Sequence, residues 1–394
     1  MLLRVVVLLS IISVYACAPV VGHVPAHDAA PGRGKEGGVS DKKEKQPGDA
    51  AASLAIDMFR LETLADIIKG VSSKKIIYVG EYHDRYSHHG VQLEVIKRLY
   101  AEDPKIAVGM EMFQRPFQDA LDDYISGAIT ERRFLKSSEY FKRWGFDYNL
   151  YKPILDFCRE RRIPVVALNV AREITEKISK SGLDSLTEQE KREIPSELDL
   201  SDEEYRHRLK EVFADHAGSD DKSFDYFYQA QVVWDETMAL SIDEFMKKNP
   251  GYRMVVLAGI GHVAHGSGIP RRAYRRNMLD YAIILSDGDV EKGIADYIVF
   301  PEKKEGAASS SLMARLKEVE GMVVIGGLEK KSPARQAGLK EGDLILSING
   351  EPVNDIQDVK IALFYLRKGK PFSVTVLRRR LFFWEKQMTL QVML

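Results

Sequence analysis

Four short apolar runs in this 394-residue chain each end on a residue that a hydrophobic core does not favour. IIYVGEYH closes with Glu81 and His83, IAVGMEMF with Glu111, PVVALNV with Asn169, and MVVLAGIGHV with His262. The runs are rich in β-branched residues and continuous rather than alternating, the pattern of parallel strands covered on both faces. Ligands of open α/β sheets bind beyond the carboxyl ends of such strands. Carboxylates, imidazoles and an amide from four strands are therefore expected to meet at one sheet edge and form a site.

Strands are expected at Ile76–Val79, Ile106–Met110, Val165–Leu168, Met254–Ala258 and Tyr281–Ser286, with helical stretches between them. This alternation predicts an α/β fold, a mostly parallel sheet flanked by helices. The stretch Thr187–His216 is densely charged and reads as exposed helices forming an insertion or lid.

The formal net charge of −1 gives no bulk field for nucleic acid, so none is expected as a partner. Residues 1–16, MLLRVVVLLSIISVYA, have the layout of a secretory signal peptide. Val14-Tyr15-Ala16-Cys17 resembles a lipobox, which makes Cys17 the lipidated first residue of the mature chain. The expected address is the bacterial cell envelope, anchored in the outer membrane and facing the periplasm. Residues 17–50, rich in Gly, Pro, Ala and Lys without apolar periodicity, read as a flexible tether. Cys158 then has no disulfide partner and reads as a buried, inert thiol.

Two readings of the strand-end groups stay open on residue chemistry. Glu81 and His83 lie two apart, so on extended backbone they face one side. With Glu111 and His262 they have the composition of a hydrolase or protease site, in which His83, Glu111 and His262 hold a divalent metal such as zinc or manganese and a carboxylate acts as base. The same groups can instead orient a cofactor or its propionates. His88, His89 and His265 read as solvated loop histidines. Arg271 and Arg272 suit either an anion or a surface salt bridge.

Aromatic density supports the cofactor reading. Residues 134–151 hold seven aromatics in 18 positions, where the chain as a whole has 9%. A second group, Phe224, Tyr226, Phe227, Tyr228 and Trp234, follows. Both suit a core or a pocket wall; a wall of this kind would receive a large flat apolar cofactor. Tyrosine is an axial ligand of haem iron in some proteins.

GEYHD, GMEMF, WGFDYNLYKPIL, PVVALNV, AQVVWDETMA and LAGIGHVAHGSGIPRR together resemble the ChaN family of haem-binding lipoproteins, over about residues 55–300. The resemblance implies haem as cofactor, an association with iron uptake, and haem held across a homodimer with a tyrosine ligand. Tyr148 and Tyr151 are the candidate ligands, with His83 or His262 beside the cofactor and Arg272 for a propionate. The wider superfamily, with Tiki, TraB-type and erythromycin-esterase-like proteins, also includes metal-dependent hydrolases that use the positions of Glu81, His83 and His262. The resemblance therefore carries both readings.

Residues 301–311 read as a linker between a domain at 51–300 and a small mostly-β domain at 312–394. EKKSPARQAGLKEGDLILSINGEPVNDIQDVKIAL resembles a PDZ domain of bacterial envelope proteases, with Asn349-Gly350 as a hairpin turn. That implies a protein or peptide partner added as a strand along a groove. Ser311-Leu312-Met313-Ala314, where the carboxylate-binding loop is expected, lacks the usual glycine. The domain is expected to fold apart from residues 51–300.

Overall fold

The computed structural model describes residues 59, 61–217, 221–367, 369–379 and 385–393. The expected signal peptide, Cys17 and the tether lie outside the described residues. Six strands form the first sheet: β1 (Ile76–Glu81), β2 (Ile106–Gln114), β3 (Val165–Asn169), β4 (Arg253–Gly259), β5 (Tyr281–Ser286) and β6 (Tyr297–Val299). Their order is β3-β2-β4-β1-β5-β6, and every pairing is parallel. The α/β class expected from the apolar runs is the fold observed.

Strand periodicity divides each run between two cores. Ile77 and Val79 of β1 enter one cluster, while Ile76 and Tyr78 enter the other. Successive side chains leave opposite faces of a strand, so only residues apolar at every position satisfy both layers. Strands β3, β2, β4 and β1 are consecutive neighbours, so their carboxyl ends abut. β1 and β2 run further than their apolar stretches imply, through Glu81 and Gln114, and both strands are buried throughout.

Most of the charged stretch is exposed, as its composition implies, but its last helix also buries one face. In the helix Glu203–Ala217, Tyr205, Leu209 and Phe213 recur every fourth residue and are buried against Phe224, Phe227 and Tyr228 of the long helix Asp221–Lys248. One apolar stripe at helical spacing thus outweighs the surrounding charge.

The C-terminal sheet comprises β7 (Ala314–Val319), β8 (Met322–Leu328), β9 (Leu344–Ile348), β11 (Pro371–Arg379) and β12 (Glu385–Met393), ordered β12-β11-β9-β8-β7 and antiparallel, with β10 (Glu351–Pro352) paired to β9. Its helix Ile356–Phe364 is capped by Asp355. The helix serves two cores: Val359 and Leu363 pack into the C-terminal domain, whereas Ile361 and Phe364 pack on the first domain. Lys136 holds Asp355 at 3.0 Å and Asp358 at 2.5 Å, Lys142 holds Asp355 at 2.9 Å, and the Phe364 ring lies 5.3 Å from that of Tyr148. The two domains are therefore docked along this helix.

Candidate functional site

Glu81 ends β1 fully buried, and three groups lie against its carboxylate, two as hydrogen bonds to Oε1 and one as an ion-pair contact at Oε2. His83 Nδ1 lies 2.8 Å from Oε1, the Tyr151 hydroxyl donates to the same oxygen at 3.2 Å, and His89 Nδ1 lies 2.6 Å from Oε2. Burial raises the pKa of Glu81, but the charges and hydrogen bonds of His89 and His83 outweigh it and bring the value down to about 2. Burial likewise opposes charge on His89, yet Glu81 and the hydrogen bonds to Glu81, the His83 carbonyl and Gln92 raise its pKa. Glu81 and His89 form a buried ion pair beneath His83.

Glu111 sits on the neighbouring side of β4. Its Oε2 accepts from the Gly259 amide at 2.7 Å, and Asn169 at the end of β3 donates to its backbone carbonyl at 3.0 Å. Its Oε1 lies 3.5 Å from His262 Nε2 and 3.9 Å from His83 Nε2. His262 Nδ1 lies 2.7 Å from Asp235, whose other oxygen accepts from Tyr205 at 2.6 Å. Each imidazole thus has a buried carboxylate at Nδ1, which fixes its tautomer and turns Nε2 toward Glu111. The turn carrying His262 depends on Gly268, because a Cβ there would meet the His262 carbonyl oxygen at 2.1 Å.

The structure therefore brings Glu81, His83, Glu111, Asn169 and His262 together. Asp235 is a site residue that the apolar-run reading missed. Its signal was present: Asp235-Glu236-Thr237 interrupts an apolar helical stretch, and all three are fully buried. Among the described residues no group of three or more His, Cys, Asp and Glu side chains is arranged to hold a metal ion, so the zinc or manganese expectation finds no ligand set.

Other expectations fall elsewhere. His88 and His89 are buried rather than solvated; His88 accepts from the Tyr82 amide at 3.1 Å and lies 3.0 Å from Asp287. His265 is half-buried, 3.7 Å from Glu291. Arg271, itself exposed, pairs with the buried carboxylate of Asp202 at 3.0 Å. Arg272 is buried, donating to the carbonyls of Ser267, Gly268 and Asp199 beside Glu236. It clamps the chain to itself. Tyr148 and Tyr151 are both fully buried, and neither lines the cleft described next.

A cleft of about 180 Å³ opens above the strand ends. His83, Glu111 and Asn169 line its floor side, while Met112, Phe141, Trp144, Phe146 and Trp234 supply an apolar wall. The His83 ring lies 5.0 Å from Trp144 and 4.9 Å from Phe146. Lys142, Arg143, Arg172 and Lys360 add cations to the lining. Three lining residues carry buried polar atoms that have no hydrogen-bond partner among the described residues, Trp144 Nε1, Asn169 Oδ1 and Trp234 Nε1. Each costs roughly 1–3 kcal/mol unless something pairs with it, which favours a ligand with polar groups. Aromatic wall, imidazole and cations together fit a flat apolar ring bearing carboxylates. The volume is below the roughly 300–1,000 Å³ of pockets that engulf a drug-sized ligand. A larger flat ligand could only lie across the mouth.

Comparison with known proteins agrees with this division of the chain. A family model described as haem-binding uptake, Tiki superfamily, ChaN matches residues 67–273, and a PDZ domain model matches residues 310–393. The chain is 34% identical over 95 residues to a probable periplasmic serine endoprotease DegP-like protein of Rhizobium meliloti, covering 24% of this chain and 18% of that one. A DegP-like protein of Bartonella henselae is 32% identical over 93 residues, covering 24% and 17%. The chain thus spans under a fifth of the length of these curated relatives. A solved structure of Campylobacter jejuni ChaN with cofacial heme aligns with a TM-score of 0.49 at 17% identity, covering 59% of this chain and 89% of that one. With its family model spanning more than half of the sequence, and joined to a PDZ domain, the chain belongs to the ChaN haem-binding uptake family of the Tiki superfamily.

Proposed function

We propose that this chain binds haem across the mouth of the aromatic cleft and handles it in the bacterial envelope as part of iron uptake. The observation that carries the reading is the placement of His83 among Trp144, Phe146 and the cations of the lining. Haem supplies a Lewis-acidic iron that takes an imidazole or phenolate ligand. His83 is the residue to hold it, because Glu81 fixes its tautomer and His89 anchors Glu81. Trp144 and Phe146 would pack against its apolar ring, and cations of the lining would receive its acids. A ring lying across a small cleft keeps one face uncovered, which a second copy of the chain would cover in a homodimer. The lipid on Cys17 would hold the body at the outer membrane, and the PDZ groove would recruit a peptide partner.

Adding haemin to the purified full chain tests the reading by absorbance. A saturable Soret band that His83→Ala weakens at least tenfold supports it. Absence of any band in the unaltered chain overturns it.

A second reading rests on Glu111, faced by two carboxylate-oriented imidazoles. That arrangement can relay a proton, with Glu111 and His262 as acid and base toward a small polar substrate. Turnover of ester or amide substrates that Glu111→Gln abolishes would favour it.

A further inference from the structure

We infer that Lys360, contributed by the PDZ domain, is the residue by which the cleft of the first domain selects a carboxylate-bearing aromatic ligand. The inference rests on the reading of that cleft as a haem site and names the group that reads the ligand's acid.

Three of the four cations lining the cleft are already neutralised. Lys142 pairs with Asp355 at 2.9 Å, Arg143 with Glu139 at 2.7 Å and Glu173 at 3.0 Å, and Arg172 with Glu176 at 2.5 Å. Lys360 differs. Among the described residues its ammonium donates to the Phe141 carbonyl at 3.1 Å, and no carboxylate pairs with it. Lys360 is exposed at the cleft and stands beside Arg172; the surrounding protein atoms, and then the charge of Arg172, pull its pKa down.

Its position is fixed rather than incidental. Asp355 caps the helix and is gripped by Lys136 and Lys142, Gln357 donates to the Lys136 carbonyl at 3.2 Å, and Phe364 seats against Tyr148 and Phe141. These contacts hold residue 360 over Phe141, which is part of the aromatic wall. An apolar ring against that wall would present an acidic substituent to Lys360. The site of one domain is thereby completed by a side chain of the other.

The test compares haemin with haemin dimethyl ester, whose acids are capped, on the full-length chain. The ratio of the two affinities is measured by absorbance titration in the unaltered protein, Lys360→Ala and Lys360→Arg. A partly exposed charge pair corresponds to a loss of about three- to tenfold. The preference for the free acid should fall by that factor in Lys360→Ala and recover in Lys360→Arg. An unchanged preference in Lys360→Ala overturns the inference while leaving haem binding standing. Should the unaltered chain bind no haemin, the haem reading falls alone, and 1-naphthoate against 1-naphthamide, followed by tryptophan fluorescence, decides Lys360 by the same ratio.

Discussion

The hydroxyl of Tyr151 donates to Glu81 Oε1 at 3.2 Å, the oxygen that also holds His83 Nδ1. Tyr151 therefore reaches the cleft through Glu81 and His83 rather than by facing it. Burial, and then the charge of Glu81, raise its pKa well above the phenol range, so a phenolate is disfavoured there. Tyr151→Phe should keep haem affinity within about threefold and shift the Soret maximum slightly, because one weak hydrogen bond is worth roughly 0.5–1.5 kcal/mol. Loss of the band in Tyr151→Phe, with His83→Ala unaffected, would reverse the assignment.

The Glu81–His89 pair sets a pH window for stability. Glu81 has a folded pKa of about 2 against an ordinary 4.5; its contribution is complete above 4.5 and is lost as pH falls toward 2. His89 is raised above 6.5; its contribution is complete below 6.5 and is lost as pH rises through the folded value. Thermal unfolding should show greatest stability from this pair between about pH 4.5 and 6.5. Glu81→Gln should flatten the acid limb and lower stability by a few kcal/mol, because it leaves a buried imidazolium unpaired. A mutant with the unaltered acid limb would show that other carboxylates control it.

Asp235→Asn should invert the His262 tautomer. An amide donates to Nδ1 where the carboxylate accepted from it, so the ring proton moves to Nε2 and faces Glu111. Nitrogen-15 shifts of His262 read this directly. With the amide nitrogen on His262, the amide oxygen still accepts from the Tyr205 hydroxyl, so the stability loss should stay at about 1 kcal/mol or less; an unmoved nitrogen-15 pattern would overturn the tautomer assignment.

The docked helix should make the two domains melt together. Phe364→Ala removes a half-buried ring from the interface and should cost about 2–3 kcal/mol. Lys136→Ala breaks partly exposed ion pairs and should cost about 1 kcal/mol or less. Calorimetry should show one transition for the unaltered chain, split or broadened by Phe364→Ala. Two separate transitions in the unaltered protein would contradict the coupling.

On the proposed lipid anchor, Cys17→Ala should release the protein from the membrane fraction, because durable anchoring needs more than one acyl chain and the proposal puts those chains on this cysteine. Unchanged partitioning of the mutant would sink the lipid anchor.

The parallel sheet was legible because double-sided burial forces unbroken apolar runs, and the strand-end residues stood out against them. Glu81, His83, Glu111, Asn169 and His262 meet because β3, β2, β4 and β1 are neighbours, which the runs alone do not specify. Asp235 was harder to see, since it reaches His262 from a helix 27 residues earlier in the chain. His89 looked solvated because helix Tyr86–Glu102 has no strong apolar stripe, yet its first turns face Glu81. Lys360 was invisible: its role depends on how two separately patterned domains dock, and no local periodicity records that.

The helix Ile356–Phe364 has a consequence for anyone who would treat the chain as separable modules. The seam between domains runs along the length of this helix, with Val359 and Leu363 on one side and Ile361 and Phe364 on the other. Cutting at the linker leaves a bare apolar stripe on each fragment, the kind of surface that drives self-association. A transplanted PDZ module would carry that adhesive face with it, and the remaining body would lose part of the roof over its own cleft.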